Sequence, residues 1–361
     1  MKKLFKYILI VFLCTWGISG IQAQDNRTLT TKVADILARF PADDVKYSDQ
    51  LVQQIIDLGE AEITGFCNMI VPPGTGDDTQ ARFAIESLAV YSGASNREQA
   101  RELVTETLLK VIDKANDKEV KSFFIRRLKF CGKDECVAPL SELLNDGKVS
   151  GPAVAVLTSI GTEKAASAML TALDGAAGTT QTELIKALGI LKYKPAVPAL
   201  TTLTASQGET KKQVLNALSE IGDAQAATTF TNAVKAVGYK PDDSKTMLSF
   251  LQYVNRLAEN GDKKTAKKLC TDVLKNCKSQ EQMIFRSSVI RTLRTYWDNE
   301  TIFLLLKEIK NSDKAYRAAV LNFASEGMTH AEAEKWIAAM KKAPAETKVQ
   351  IISTIAKRNE P

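Results

Sequence analysis

The chain has 361 residues, 45% of them hydrophobic and 25% charged, with a net charge of +6 and one histidine. A lone histidine excludes a multi-histidine metal site, and 48 basic against 42 acidic residues is too even a balance for a nucleic-acid-binding surface. Beyond the N-terminal segment, no stretch approaches the roughly 18 consecutive apolar residues of a membrane-spanning helix.

The chain begins MKKLFKYILIVFLCTWGISGIQA, with Lys2, Lys3 and Lys6 ahead of an apolar run from Tyr7 to Trp16 and a small-residue exit near Ala23. That is the three-part layout of a secretory signal. Residues 1–23 are therefore expected to be removed after Ala23, leaving an exported protein, periplasmic or secreted. Cys14 follows Leu13 rather than a small residue, which argues against lipidation. The remaining charge is +3, divided as −4 over residues 24–236 and +7 over residues 237–361. This polarity favours an acidic partner at the basic C-terminal third, or reflects lysine-rich solvated helix faces.

Residues 24–46 are read as an N-terminal segment with a capping helix, and residues 47–361 as repeats. Early in that second span lies VPPGTGDDTQARFAIESL, residues 71–88. Pro72 and Pro73 stop the preceding helix, and Gly74 and Gly76 let the chain turn back. Asp77 has capping-box-like spacing to Gln80, and either Asp77 or Asp78 is placed to cap the helix carrying Phe83, Ile85 and Leu88. A phosphate at that helix end would meet two carboxylates and no P-loop lysine. Calcium needs six to eight oxygens, more than GTGDDT supplies, so Asp77 and Asp78 are weak metal candidates in a structural loop.

The windows AVAVLTSIGTEKAASAML (153–170), ELIKALGILKYKPAVPAL (183–200) and QVLNALSEIGDAQAATTF (213–230) share one pattern. Each has a leucine (Leu157, Leu188, Leu218) with apolar residues three before it (Val154, Ile185, Leu215) and three after it (Ile160, Leu191, Ile221). This spacing marks one helix face. A turn and a second helix follow, anchored by Met169, Leu200 or Phe230. The turn position recurs at Gly132, Gly161, Lys192, Gly222, Gly261, Trp297, Gly327 and Asn359, with GYKPDDSK lengthening one loop. The pattern predicts an all-α fold, an α-solenoid of about nine to ten helix hairpins that bury their apolar stripes against one another. The end, VQIISTIAKRNEP, places Ile352 and Ile355 at first-helix core positions and reaches Asn359 with no second helix. The last repeat is therefore expected to be incomplete, and the gene product to continue past Pro361.

The segment ALGILKYKPAVPAL (187–200) resembles the HEAT repeat of the phycobilin-lyase type, with Lys192 in place of the usual turn glycine. The resemblance extends over about residues 118–236 and implies a fold and an interaction role, without lyase activity toward a bilin. Residues 71–88 are similar to the N-terminal part of secreted bacterial HEAT-repeat proteins that continue into a 3-keto-disaccharide hydrolase domain of jelly-roll type. That second resemblance implies a catalytic domain beyond residue 361.

The remaining candidate chemistry is sparse. His330 lies in MTHAEAEKW, where Thr329 is the N-cap, Glu332 its box partner and His330 the first helical residue, facing solvent. Five cysteines remain after the signal. Cys131 and Cys136 form either a disulfide across a turn or two buried thiols, and Cys67, Cys270 and Cys277 are read as buried small apolar residues. Tyr193 and Trp297 fall in turns along one ridge, where they make a carbohydrate or protein contact or cover a repeat junction. No pair of carboxylates stands out for acid–base work. The chain is accordingly expected to be a non-catalytic binding scaffold of the cell envelope, with a protein or glycan partner and no cofactor. The alternatives are the N-terminal region of a sugar-processing enzyme and a structural spacer.

Overall fold

The computed structural model describes residues 28–297, 301–326 and 328–357. The expectations for the secretory signal, Cys14, Gly327 and Asn359 lie outside these residues. Among the described residues are twenty α-helices, several 3-10 turns and no strand. The chain divides into two compact units, 1–107 and 108–361.

The first unit holds α1 (Leu29–Leu37), α2 (Val45–Leu58), α3 (Glu60–Cys67), α4 (Thr79–Ser92) and the start of α5 (Glu98–Lys114). Asp44 starts α2 by accepting the Tyr47 N–H at 2.8 Å. A single residue, Gly59 at φ +97°, separates α2 from α3. The apolar stripe of α2, Leu51, Val52 and Ile55, is buried, as are Ile63 and Phe66 of α3 and Ile85 and Leu88 of α4.

In the second unit, first and second helices of successive hairpins alternate. The first helices are α6 (Lys118–Cys131), α8 (Ser150–Ile160), α10 (Gly178–Ile190), α12 (Gly208–Ile221), α14 (Thr246–Glu259), α16 (Met283–Trp297), α18 (Lys314–Ser325) and α20 (Ala345–Ala356). The second helices are α7 (Val137–Glu142), α9 (Glu163–Leu173), α11 (Val197–Thr202), α13 (Ala227–Ala236), α15 (Lys263–Asn276), α17 (Ile302–Glu308) and α19 (His330–Met340). Each first helix packs on the next in an unbroken series from α6 to α20. This is an all-α solenoid of helix hairpins.

The leucine-centred pattern is the packing register. Leu157, Leu188 and Leu218 are fully buried, and so are the second-helix anchors Met169, Leu200 and Phe230. Three residues before each turn-proximal apolar residue lie Ile125, Val154, Ile185, Leu215, Val254, Ile290 and Val320, a column buried all along the stack. Each such side chain contributes about 1.5–3 kcal/mol through loss of apolar surface to water. The eighth member, Ile352, departs from its expected core role and is 54% exposed, because the helix turns a neighbouring face inward. The buried stripe of α20 is instead Thr347, Ile351 and Thr354.

Helix ends explain the turn positions. Gly161 (φ +68°) and Gly222 (φ +60°) end α8 and α12 in the left-handed region that glycine enters without a Cβ penalty. Lys192 occupies the same region at φ +51°, while the Lys192 and Tyr193 amides donate to the carbonyls of Gly189 (2.9 Å) and Leu188 (3.1 Å). Lys192→Gly is therefore expected to stabilise the protein by about 0.5 kcal/mol, the left-handed penalty slightly exceeding the entropy cost of glycine. Thermal denaturation checks this; a lowered melting temperature would contradict the strain at this turn.

Candidate functional site

The loop ahead of α4 is held by its own carboxylates. Asp78 Oδ2 accepts the Val71 N–H at 2.9 Å and Oδ1 accepts Arg82 Nε–H at 2.7 Å, while Arg82 Nη2 donates to the Val71 carbonyl at 3.2 Å. Asp77 Oδ1 accepts the Thr79 N–H at 3.0 Å. The expected box between Asp77 and Gln80 does not form, because the N-cap residue is Asp78 and its side chain reaches back to Val71. The hydrogen bond from Arg82 holds the Asp78 carboxyl below its usual range, and the bond from Thr79 does the same for Asp77. Both carboxylates thus favour the folded loop at neutral pH, and that contribution is lost as pH falls through their lowered values. Asp78→Ala leaves the Val71 amide without its acceptor and is expected to cost about 1–3 kcal/mol. Asp77→Ala loses only the bond from the Thr79 amide and is expected to cost less than Asp78→Ala. Urea denaturation of the two variants checks the order.

The other sequence candidates are scattered. Cys131 and Cys136 are buried thiols, and Cys131 Sγ–H points to the Arg127 carbonyl at 3.9 Å. A Cβ on Gly132 would stand 2.8 Å from Cys136 Sγ, so close packing explains this turn residue, whose φ of −73° is not left-handed. Burial pushes the Cys67 and Cys270 thiols up to about 12 and the Cys277 thiol up to about 11. Tyr193 is half-buried just ahead of α11. Trp297 closes α16, half-buried, edge-on to Tyr296 at 6.2 Å and 5.9 Å from Lys267 Nζ. His330 is the exposed first residue of α19, behind a capping box formed by Thr329 and Glu332. Among the described residues no group of three or more His, Cys, Asp or Glu is placed to hold a metal ion.

Glu332 has a second role that its capping spacing did not signal. Its carboxylate takes two hydrogen bonds from Arg294 of α16, at 2.7 and 2.9 Å, with both side chains only 4% exposed. A similar buried cluster joins Arg286 to Glu308 at 2.7 and 2.8 Å, with the Tyr316 hydroxyl donating to Glu308 at 2.7 Å. Burial, then the Glu308 contact, raises the Tyr316 hydroxyl well above its ordinary value. The Arg294–Glu332 pair joins successive hairpins, whereas the Arg286–Glu308 pair lies within one hairpin and reaches the next through Tyr316.

A groove of the second unit lies between α13 and α15. The first helices α12 and α14 pack closely, whereas the second helices of the same hairpins stand apart and leave a groove of about 680 Å³. Ala224, Ala227, Thr228, Thr231, Asn232 and Lys235 line one wall. Thr265, Lys268, Leu269, Thr271, Asp272 and Lys275 line the other. The floor is apolar at Leu269, the walls carry hydroxyls and one carboxamide, and the rim carries Lys235, Lys268 and Lys275, all exposed.

The lengthened loop secures this groove. Tyr239, at φ +55° and buried, donates its hydroxyl to Asp272 and accepts from Asn276 Nδ2 at 3.3 Å. Gln282 Nε2 donates to the Gly238 and Tyr239 carbonyls at 3.1 and 3.3 Å. Burial, then the Asp272 hydrogen bond, raises the Tyr239 hydroxyl far above its usual value, so it remains a donor. Asp272, the one acid in the lining, is therefore already engaged. The sequence signal was present in GYKPDDSK, read only as a longer loop, and in KKTAKKLCTDVLKN, where Lys264, Lys268 and Lys275 share one helix face.

The class defined by this architecture is the helical-repeat solenoid with an open groove between second helices. No family model matches the chain, and no curated protein does. Among solved structures, it is similar to an engineered protein at 15% identity and a TM-score of 0.41, over 91% of this chain and 98% of that one. It is also similar to a chain from a structure concerned with the phosphorylation switch that controls the interaction between cadherin and beta-catenin. There the identity is 13% and the TM-score 0.39, over 90% of this chain and 82% of that one. The solenoid assignment rests on the helices and their register.

Proposed function

We propose that this chain is a non-catalytic binding scaffold of the cell envelope that presents inter-repeat grooves to a protein partner. The groove between α13 and α15 is the observation that carries the reading: it is open, walled by hydrogen-bonding side chains and braced by Tyr239. A stack of hairpins fixes the spacing of such grooves without asking any residue to do chemistry. The secretory layout of residues 1–23 supports the envelope location, and the HEAT-like motif at 187–200 supports an interaction role.

Site-specific photocrosslinking in the source cells tests the reading. A crosslinking residue at Asn232, on the groove wall, is expected to give one discrete adduct in the exported fraction. The same residue at exposed Asn216, on the first helix α12, is expected to give none. Equal labelling from both positions, or no adduct from either, would sink the scaffold reading.

A further inference from the structure

Resting on the scaffold reading, we infer that the groove between α13 and α15 takes an extended acidic peptide segment, its carboxylates held by Lys235, Lys268 and Lys275 and a small apolar side chain seated over Leu269. Charge complementarity is the first argument. Three exposed ammonium groups rim the groove, none of them ion-paired among the described residues. The lining's one carboxylate, Asp272, is occupied by the Tyr239 hydroxyl and by Asn276 Nδ2 at 3.1 Å. The groove thus carries an unbalanced positive rim over an apolar floor.

Spacing is the second argument. Lys268 and Lys275 are seven residues apart on α15, about 10 Å along the helix axis. An extended chain rises about 3.3 Å per residue, so acids three residues apart reach both lysines. Lys264 continues the same face one turn earlier. On the facing wall, the Asn232 carboxamide offers both a donor and an acceptor to a peptide backbone.

Two of the three groove lysines, Lys268 and Lys275, fall in the basic C-terminal third. Much of the arginine in the C-terminal third is committed to internal pairs with Glu220, Glu308, Glu332 and Glu346. Of the five lysines of α15, Lys268 and Lys275 line the groove, whereas Lys263 donates to the Tyr296 carbonyl at 3.4 Å and Lys267 lies 5.9 Å from the Trp297 ring.

The test uses the mature chain and a fluorescent, N-acetylated peptide of alternating glutamate and aspartate around a central alanine, followed by anisotropy. The wild type is expected to bind it, with affinity falling at least tenfold between low and physiological salt. The triple variant Lys235→Ala, Lys268→Ala, Lys275→Ala is expected to lose at least tenfold in affinity. A control with the same net charge, Lys129→Ala, Lys148→Ala, Lys186→Ala, changes exposed lysines outside the groove and is expected to bind like the wild type. No binding by the wild type, or equal loss in both triple variants, overturns the inference. So does a sulfated oligosaccharide that binds in a lysine-dependent manner where the peptide does not. Each failure leaves the crosslinking test of the scaffold reading untouched, since an adduct at Asn232 requires only that some protein occupy the groove.

Discussion

Arg294→Ala is expected to destabilise the second unit by about 3–5 kcal/mol, the range for breaking one side of a buried ion pair. Arg294 donates to both oxygens of Glu332 and, through Nη2, to the Glu326 carbonyl at 3.1 Å. Truncation leaves the Glu332 carboxylate buried with the Thr329 amide, at 3.3 Å, as its remaining donor. The Coulomb gain of the pair alone is a poor guide, because desolvating both groups offsets most of it. The loss comes from the stranded charge. Glu332→Gln keeps a side chain able to accept from Thr329 but strands the arginine, and it is expected to fall in the same range. Arg294→Met combined with Glu332→Leu removes both charges and is expected to recover most of the loss, apart from about 1 kcal/mol for the missing cap. Urea denaturation followed by circular dichroism measures all three. If the double variant is as unstable as Arg294→Ala, the charge is not the cause and lost packing is.

The solenoid was legible because its signal is repeated. The column Ile125, Val154, Ile185, Leu215, Val254, Ile290 and Val320 recurs at one place in each hairpin, so chance matches average out over the stack. The site was much less legible, because it depends on differences between repeats. α12 and α14 carry the same leucine register as their neighbours, and nothing in that register says that α13 and α15 stand apart. Tyr239 lies in the one loop that breaks the period, where a periodicity argument has nothing to compare. The ion pairs did leave a trace. The residue after the turn-proximal leucine is Thr158, Gly189, Ser219 and Ala258 in four hairpins, and Arg294 in the next. The same position in the first hairpin is Lys129, which is exposed, so the charge alone did not demand a buried partner, and single-sequence reading has no means to name Glu332, 38 positions away.

That small-residue column also carries the second large effect, at Gly189. A Cβ on Gly189 would lie 2.7 Å from the Ala217 Cα and 2.8 Å from its Cβ, so α10 and α12 touch backbone to backbone there. Two terms compete when Gly189 becomes alanine. Helix propensity favours alanine by about 1 kcal/mol, and the glycine lies within α10, where that gain applies. Against it stands overpacking, typically about 1–3 kcal/mol, and the obstacle here is backbone rather than the yielding end of a side chain. Overpacking wins, so Gly189→Ala is expected to be destabilising by about 1–2 kcal/mol despite the better helix former. Gly189→Val adds two further methyl groups and is expected to cost at least about 3 kcal/mol, since α10 sits mid-stack and separating it from α12 disturbs packing on both sides. Adding Ala217→Gly removes the 2.8 Å contact with the Ala217 Cβ but leaves the 2.7 Å contact with its Cα, and it gives up helix propensity in α12, so it is expected to recover at most part of the loss. A melting temperature that rises in Gly189→Ala would mean that α10 and α12 do not approach at this glycine.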